Sequence, residues 1–175
     1  MVFANCYLIG QAIDLMDMFE SCGLVEKMKN TCQFGPKKYV YPGVHYTRYE
    51  YVLTQLMLIR NIASSDKLHN VELSLKSNFS EYIKFDSDLN GSSLMQCLAI
   101  LSNAGHNYDT FTASRILLSL FTESKAEKTD FYTAYKRNFP ESVRKVLDEH
   151  VIKGNFYKLH LFHIIHILQG MSRPE

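Results

Sequence analysis

Apolar residues recur at three- and four-residue spacing along most of the chain, and only Tyr39-Val40-Tyr41 reads as a strand, stopped at once by Pro42. That spacing restricts the chain to helices that bury one stripe against other helices. Leu8, Ile9, Ala12, Ile13, Met16 and Phe19 set a first helix ending near Gly23, and Leu24, Val25 and Met28 a short second one. An irregular link through Phe34-Gly35-Pro36 follows, then a stripe of Tyr49, Leu53, Leu56, Met57 and Arg60. Leu68, Val71, Leu75, Phe79, Tyr82 and Ile83 make another, interrupted by the turn cluster from Asp86 to Gly91. Ser92 or Ser93 caps a helix carrying Leu94, Cys97, Leu98 and Leu101. Phe111, Ile116, Leu117, Leu120 and Phe121 continue the pattern. Ser124 and Glu127 are spaced as a capping box ahead of Phe131, Tyr132 and Tyr135. Pro140 sits where a helix carrying Val143, Val146 and Leu147 can start, and Phe156 to Leu168 is apolar on most faces. The expectation is an all-α bundle of about eight helices of ordinary length.

A chain of 175 residues suits one domain, 1–175, either whole or part of a larger protein. Nineteen basic against eighteen acidic residues leave a net charge of +1, which gives no global attraction for nucleic acid or an anionic membrane. The four cysteines, Cys6, Cys22, Cys32 and Cys97, form no CxxC pair, so reduced thiols and a cytoplasmic setting are expected. The apolar run Cys6 to Gly10 is too short for a membrane span and has no positive flank, so no signal peptide is expected either. No Gly-x-Ser-x-Gly elbow, phosphate-binding loop or dinucleotide fingerprint is present, and no cysteine has an activating context.

Chemistry concentrates between Leu24 and Leu53 and again between Ile100 and His106. The first stretch reads Val40-Tyr41-Pro42-Gly43-Val44-His45-Tyr46-Thr47-Arg48-Tyr49-Glu50-Tyr51, and the second Ile100-Leu101-Ser102-Asn103-Ala104-Gly105-His106. Over residues 24 to 115 the chain resembles the HD-domain phosphohydrolases, in particular the dNTP triphosphohydrolase branch. Their first motif runs roughly V-Y-P-G-A-x-H-T-R-F-E-H-S-L and their second L-L-H-D-I-G-H. Val40, Tyr41, Pro42, Gly43, Thr47, Arg48 and Glu50 match the first as they stand.

The resemblance implies an HD-like helical fold and, in active relatives, a divalent metal held by histidines and aspartates. Carried over position by position, the first three ligands fall on Tyr51, Ser102 and Asn103. Tyrosine ionises only near pH 10, serine is a weak neutral ligand, and asparagine keeps aspartate's shape without its charge. The imidazole nitrogens and negative charge that offset a dication's desolvation are therefore missing. Tyr46 stands where relatives place a further histidine, and no equivalent of the final aspartate is found before Glu175.

Three other groups remain. His45, His106 and Asp109 could form a displaced metal site, or His106 orders a turn while Asp109 caps the next helix. His160, His163 and His166 are spaced so that adjacent pairs converge, yet isoleucines between them favour packed imidazoles. Lys27, Lys29, Lys37, Lys38 and Arg48 alternate with tyrosines, so Lys37, Lys38 and Arg48 can pair phosphate and the rings can stack on bases. Arg48 with Glu50 alternatively forms an internal ion pair. The expected function is a catalytically inactive HD-like domain without cofactor or metal, acting as an interaction or regulatory module for a protein partner or further domains. The alternatives are a phosphoester hydrolase with displaced ligands and a nucleotide- or nucleic-acid-binding domain.

Overall fold

The computed structural model describes residues 7–63, 91–107, 110–122 and 129–171. Eight α-helices occur among them: α1 (Gln11–Ser21), α2 (Leu24–Asn30), α3 (Arg48–Ala63), α4 (Gly91–Ala104), α5 (Thr110–Phe121), α6 (Asp130–Lys136), α7 (Glu141–Ile152) and α8 (Leu159–Met171). Two 3-10 turns, Gly35–Tyr39 and Phe156–Lys158, complete the described elements, which contain no strand. The all-α expectation therefore holds. Tyr39-Val40-Tyr41, expected as a strand, instead finishes the first 3-10 turn, because Val40 and Tyr41 both donate backbone N–H bonds to the Lys37 carbonyl. The stripe from Leu68 to Ile83, the turn cluster from Asp86 to Asn90 and the Ser124–Glu127 pair lie outside the described residues.

The helices group into two compact units, Met1–Asn30 with Tyr46–Ala104, and Thr31–His45 with Gly105–Glu175. In the first, α4 packs on α1, α2 and α3. α1 contributes Ala12, Met16 and Phe19, one stripe at helical spacing, and stops at Cys22 before Gly23 turns the chain at φ 79°. α2 adds Leu24, Val25 and Met28, and α3 adds Val52 and Leu56. Two polar side chains of α4 are as buried as these. Gln96 accepts from Ile9 N at 2.8 Å and donates to the carbonyls of Tyr7 at 2.7 Å and Leu56 at 3.3 Å. This amide thus ties the segment before α1 to α3, satisfying its own buried groups as it does so. Ser93 does not cap the helix: α4 begins at Gly91, and the buried Ser93 hydroxyl donates to Gln11 Oε1 at 2.9 Å.

The second unit has an aromatic core of Phe121, Tyr132, Phe139, Leu147, Val151, Leu159 and Phe162. Phe121 packs edge-on to Tyr132 with ring centres 5.2 Å apart, and Tyr135 likewise to Phe139 at 5.2 Å. Thr129 caps α6, its hydroxyl accepting from Tyr132 N at 3.1 Å. Pro140 is the residue before α7, as its fixed φ allows. Asp148 of α7 accepts hydrogen bonds from Tyr132 Oη and Lys136 Nζ of α6, joining the two helices beside the core.

Candidate functional site

The parts of the two motif segments that belong to the first unit, residues 46–51 and 100–104, meet across the packed helices α3 and α4. Thr47 starts α3 through a capping box. Its backbone N–H and hydroxyl donate to Glu50 Oε2 at 2.6 and 2.9 Å, and its hydroxyl accepts from Glu50 N at 3.2 Å. Glu50 is thus drawn back to the helix N-terminus, a role other than the ion pair with Arg48 considered from the sequence. Tyr46 Oη lies over the same turn, donating to the Glu50 carbonyl at 3.2 Å.

Arg48 is only 4% exposed and points inward. Its Nη1 donates to Asn103 Oδ1 at 3.3 Å. Asn103, also 4% exposed, donates through Nδ2 to Gln55 Oε1 at 2.9 Å and to the Ala99 carbonyl at 2.8 Å. Ser102 Oγ donates to the same carbonyl at 3.1 Å. Arg48 and Gln55 are seven residues apart, two turns of one helix face, so a single amide on α4 bridges both. The half-buried Tyr51 lies between them in the register of α3, three residues after Arg48 and four before Gln55.

This arrangement gathers Arg48, Ser102 and Asn103 of the sequence-predicted residues, adds Gln55, which sequence reasoning missed, and places Tyr51 beside them on α3. Chemically it is a guanidinium facing side-chain amides and a hydroxyl. Such a set donates and accepts hydrogen bonds but offers a dication no carboxylate or imidazole among its named members.

Arg48 is therefore turned into the helix interface, away from the solvated phosphate-pairing role expected for it. Lys37 and Lys38 belong to the second unit, on the 3-10 turn, where Lys38 Nζ sits 4.8 Å above the Tyr39 ring. Tyr39 is 80% exposed there, and Tyr41 is exposed as well. Lys27 donates to the Ala104 carbonyl at 3.0 Å, closing the C-terminus of α4, and burial lowers its pKa.

The displaced-ligand set is not assembled by the described residues. His45 is exposed, Asp109 lies outside them, and no group of three histidine, cysteine or acidic side chains converges among them. His106 instead stacks on His160 with ring centres 4.0 Å apart. His163 meets the edge of Tyr135 and His166 lies against Phe139, so these α8 imidazoles are packed among aromatic rings. Cys22, Cys32 and Cys97 form no disulfide, and burial pushes the Cys97 thiol up, away from the reactive thiolate. No helix among the described residues is long and apolar enough to cross a membrane. No family model, curated protein or solved structure matches the chain.

Proposed function

We propose that this chain is a catalytically inert, HD-like helical domain that serves as an interaction or regulatory module, working without metal or other cofactor. What supports this reading is the Arg48–Asn103–Gln55 network at the junction of the two motifs. In an active relative that junction holds charged ligands around a dication. Here Asn103 is engaged on both sides of its amide by protein groups, and Ser102 by the helix backbone. A metal would have to break these bonds and gain only neutral oxygens in return. Without a bound metal, phosphoester hydrolysis by the relatives' route loses both its activated water and its electrophilic clamp.

Large apolar side chains left outside the core support an interaction role. Ile116 and Leu120, one turn apart on α5, are each more than half exposed. Affinity capture of tagged protein against an Ile116→Glu, Leu120→Glu control tests the module reading. A partner retained by both forms would exclude this face, and release of dNTP hydrolysis products by the unmodified chain would exclude inertness.

A second reading, nucleotide or nucleic-acid binding, draws on the turn carrying Lys37, Lys38 and the exposed rings of Tyr39 and Tyr41. Single-stranded oligonucleotide binding that weakens with salt and is lost in Lys37→Glu, Lys38→Glu would favour it. Binding insensitive to both would exclude it.

A further inference from the structure

We propose that the cleft between α7 and α8 is a binding site for a medium-chain aliphatic carboxylate, independent of the motif junction and lying wholly within the second unit. The cleft has a volume of about 350 Å³, at the small end of the roughly 300–1,000 Å³ range of small-molecule sites. Val143 and Val146 of α7 and Leu161, Phe162 and Ile165 of α8 supply its walls.

Its two basic groups are at one end, and the Ser142 hydroxyl in the first turn of α7 lies at the other. His150 lies in the last turn of α7, and Lys158 is the residue immediately ahead of α8, so both sit where the two helices are joined. Val143 and Ile165 lie further along their helices. The lining therefore carries its basic side chains at the connecting turn and is apolar beyond it except for Ser142. No carboxylate belongs to the lining among the described residues. His150 Nδ1 is buried and makes no hydrogen bond to described residues, so nothing there fixes its tautomer and Nε2 is able to carry the proton toward an anion. Lys158 is exposed and places an ammonium group at the same end.

Size and charge together select the occupant. An unbranched alkyl chain fits it lengthwise. A carboxylate at the chain's end meets Lys158 and His150, whereas an ammonium at that end is repelled.

The test uses decanoate, decanol and decyltrimethylammonium, each below its micelle-forming concentration, titrated into the full chain and followed by methyl NMR. The expected result is saturable decanoate binding that shifts the Val146, Leu161 and Ile165 methyls, weaker decanol binding and no binding of the cation. Lys158→Met weakens decanoate roughly two- to fivefold, the size of one exposed ion pair. Val146→Trp fills the cleft and abolishes binding. Val146→Glu does so by repulsion, and since Val146 is 49% exposed neither change disturbs the fold. Equal binding of all three probes, no decanoate binding, or binding that survives both Val146 variants would overturn the proposal. So would a dimer of the unliganded chain that either variant dissociates, since a second copy would then be the occupant.

Discussion

Gly105 follows the last residue of α4 and lies against the first turn of α8, within the second unit. A Cβ built there falls well inside van der Waals contact of the His160 carbonyl oxygen, 3.0 Å from the carbonyl carbon and 3.3 Å from Ile164 Cβ. Two of these three neighbours are backbone, so no rotamer change relieves the overlap. The first turn of α8 must move, and with it the core residues Leu159 and Phe162. Overpacking typically costs about 1–3 kcal/mol, and a backbone obstacle places Gly105→Ala at the top, about 3 kcal/mol or somewhat over a hundredfold in the folding equilibrium. Gly170 provides the control: it is exposed in α8 with nothing within 4 Å of a built Cβ. Gly170→Ala should be neutral or stabilise by up to about 0.5–1 kcal/mol through helix propensity. Urea denaturation followed by circular dichroism measures both, with the His106 ring resonances reporting whether its stack on His160 is kept. A Gly105→Ala midpoint equivalent to within about 0.5 kcal/mol of the parent would refute the close approach.

Asn103→Ala should destabilise by about 2–3 kcal/mol, because it strips the Nη1 acceptor from buried Arg48 and the donor from Gln55; denaturation midpoints check this. Thr47→Ala should lose about 1 kcal/mol by opening the capping box, and Glu50→Ala in the same background should add little. Burial pushes the Tyr132 and Tyr135 phenols well above their ordinary range, helped at Tyr132 by its bond to Asp148. The unfolded chain ionises these phenols near pH 10 while the fold keeps them neutral, so their contribution is complete below about pH 10 and falls as pH rises beyond it. Thermal midpoints between pH 8 and pH 11 should therefore drop, and less steeply in the double variant Tyr132→Phe, Tyr135→Phe.

The helices were legible in the sequence because their buried stripes are plain: Ala12, Met16 and Phe19, or Leu147 and Val151, carry the period themselves. The first 3-10 turn was not, because Tyr39, Val40 and Tyr41 have strand-like side chains while Gly35 and Pro36 set a tight turn just before them. Thr47 and Glu50 show why motif reading was incomplete. Their spacing is a general helix-start signature as much as a mark of kinship, and the structure uses it as one. With Glu50 so engaged, Arg48 turns to Asn103 across 55 positions of sequence. Gln55 and Gln96 carried no local signal at all, since a buried glutamine is recognised only by partners that the tertiary fold delivers.

The decisive property of this chain is whether its motif junction holds a metal. Protein purified without chelators, analysed for metal content and titrated calorimetrically with manganese, iron, zinc and magnesium, measures this directly, with release of hydrolysis products from a dNTP panel followed in parallel. The parent chain should carry no stoichiometric metal, give no saturable heat and turn over no dNTP, while Tyr51→His, Ser102→His, Asn103→Asp together should gain metal binding at the junction. Stoichiometric metal in the parent, with turnover lost on mutating His106 or Asp109, would contradict the account.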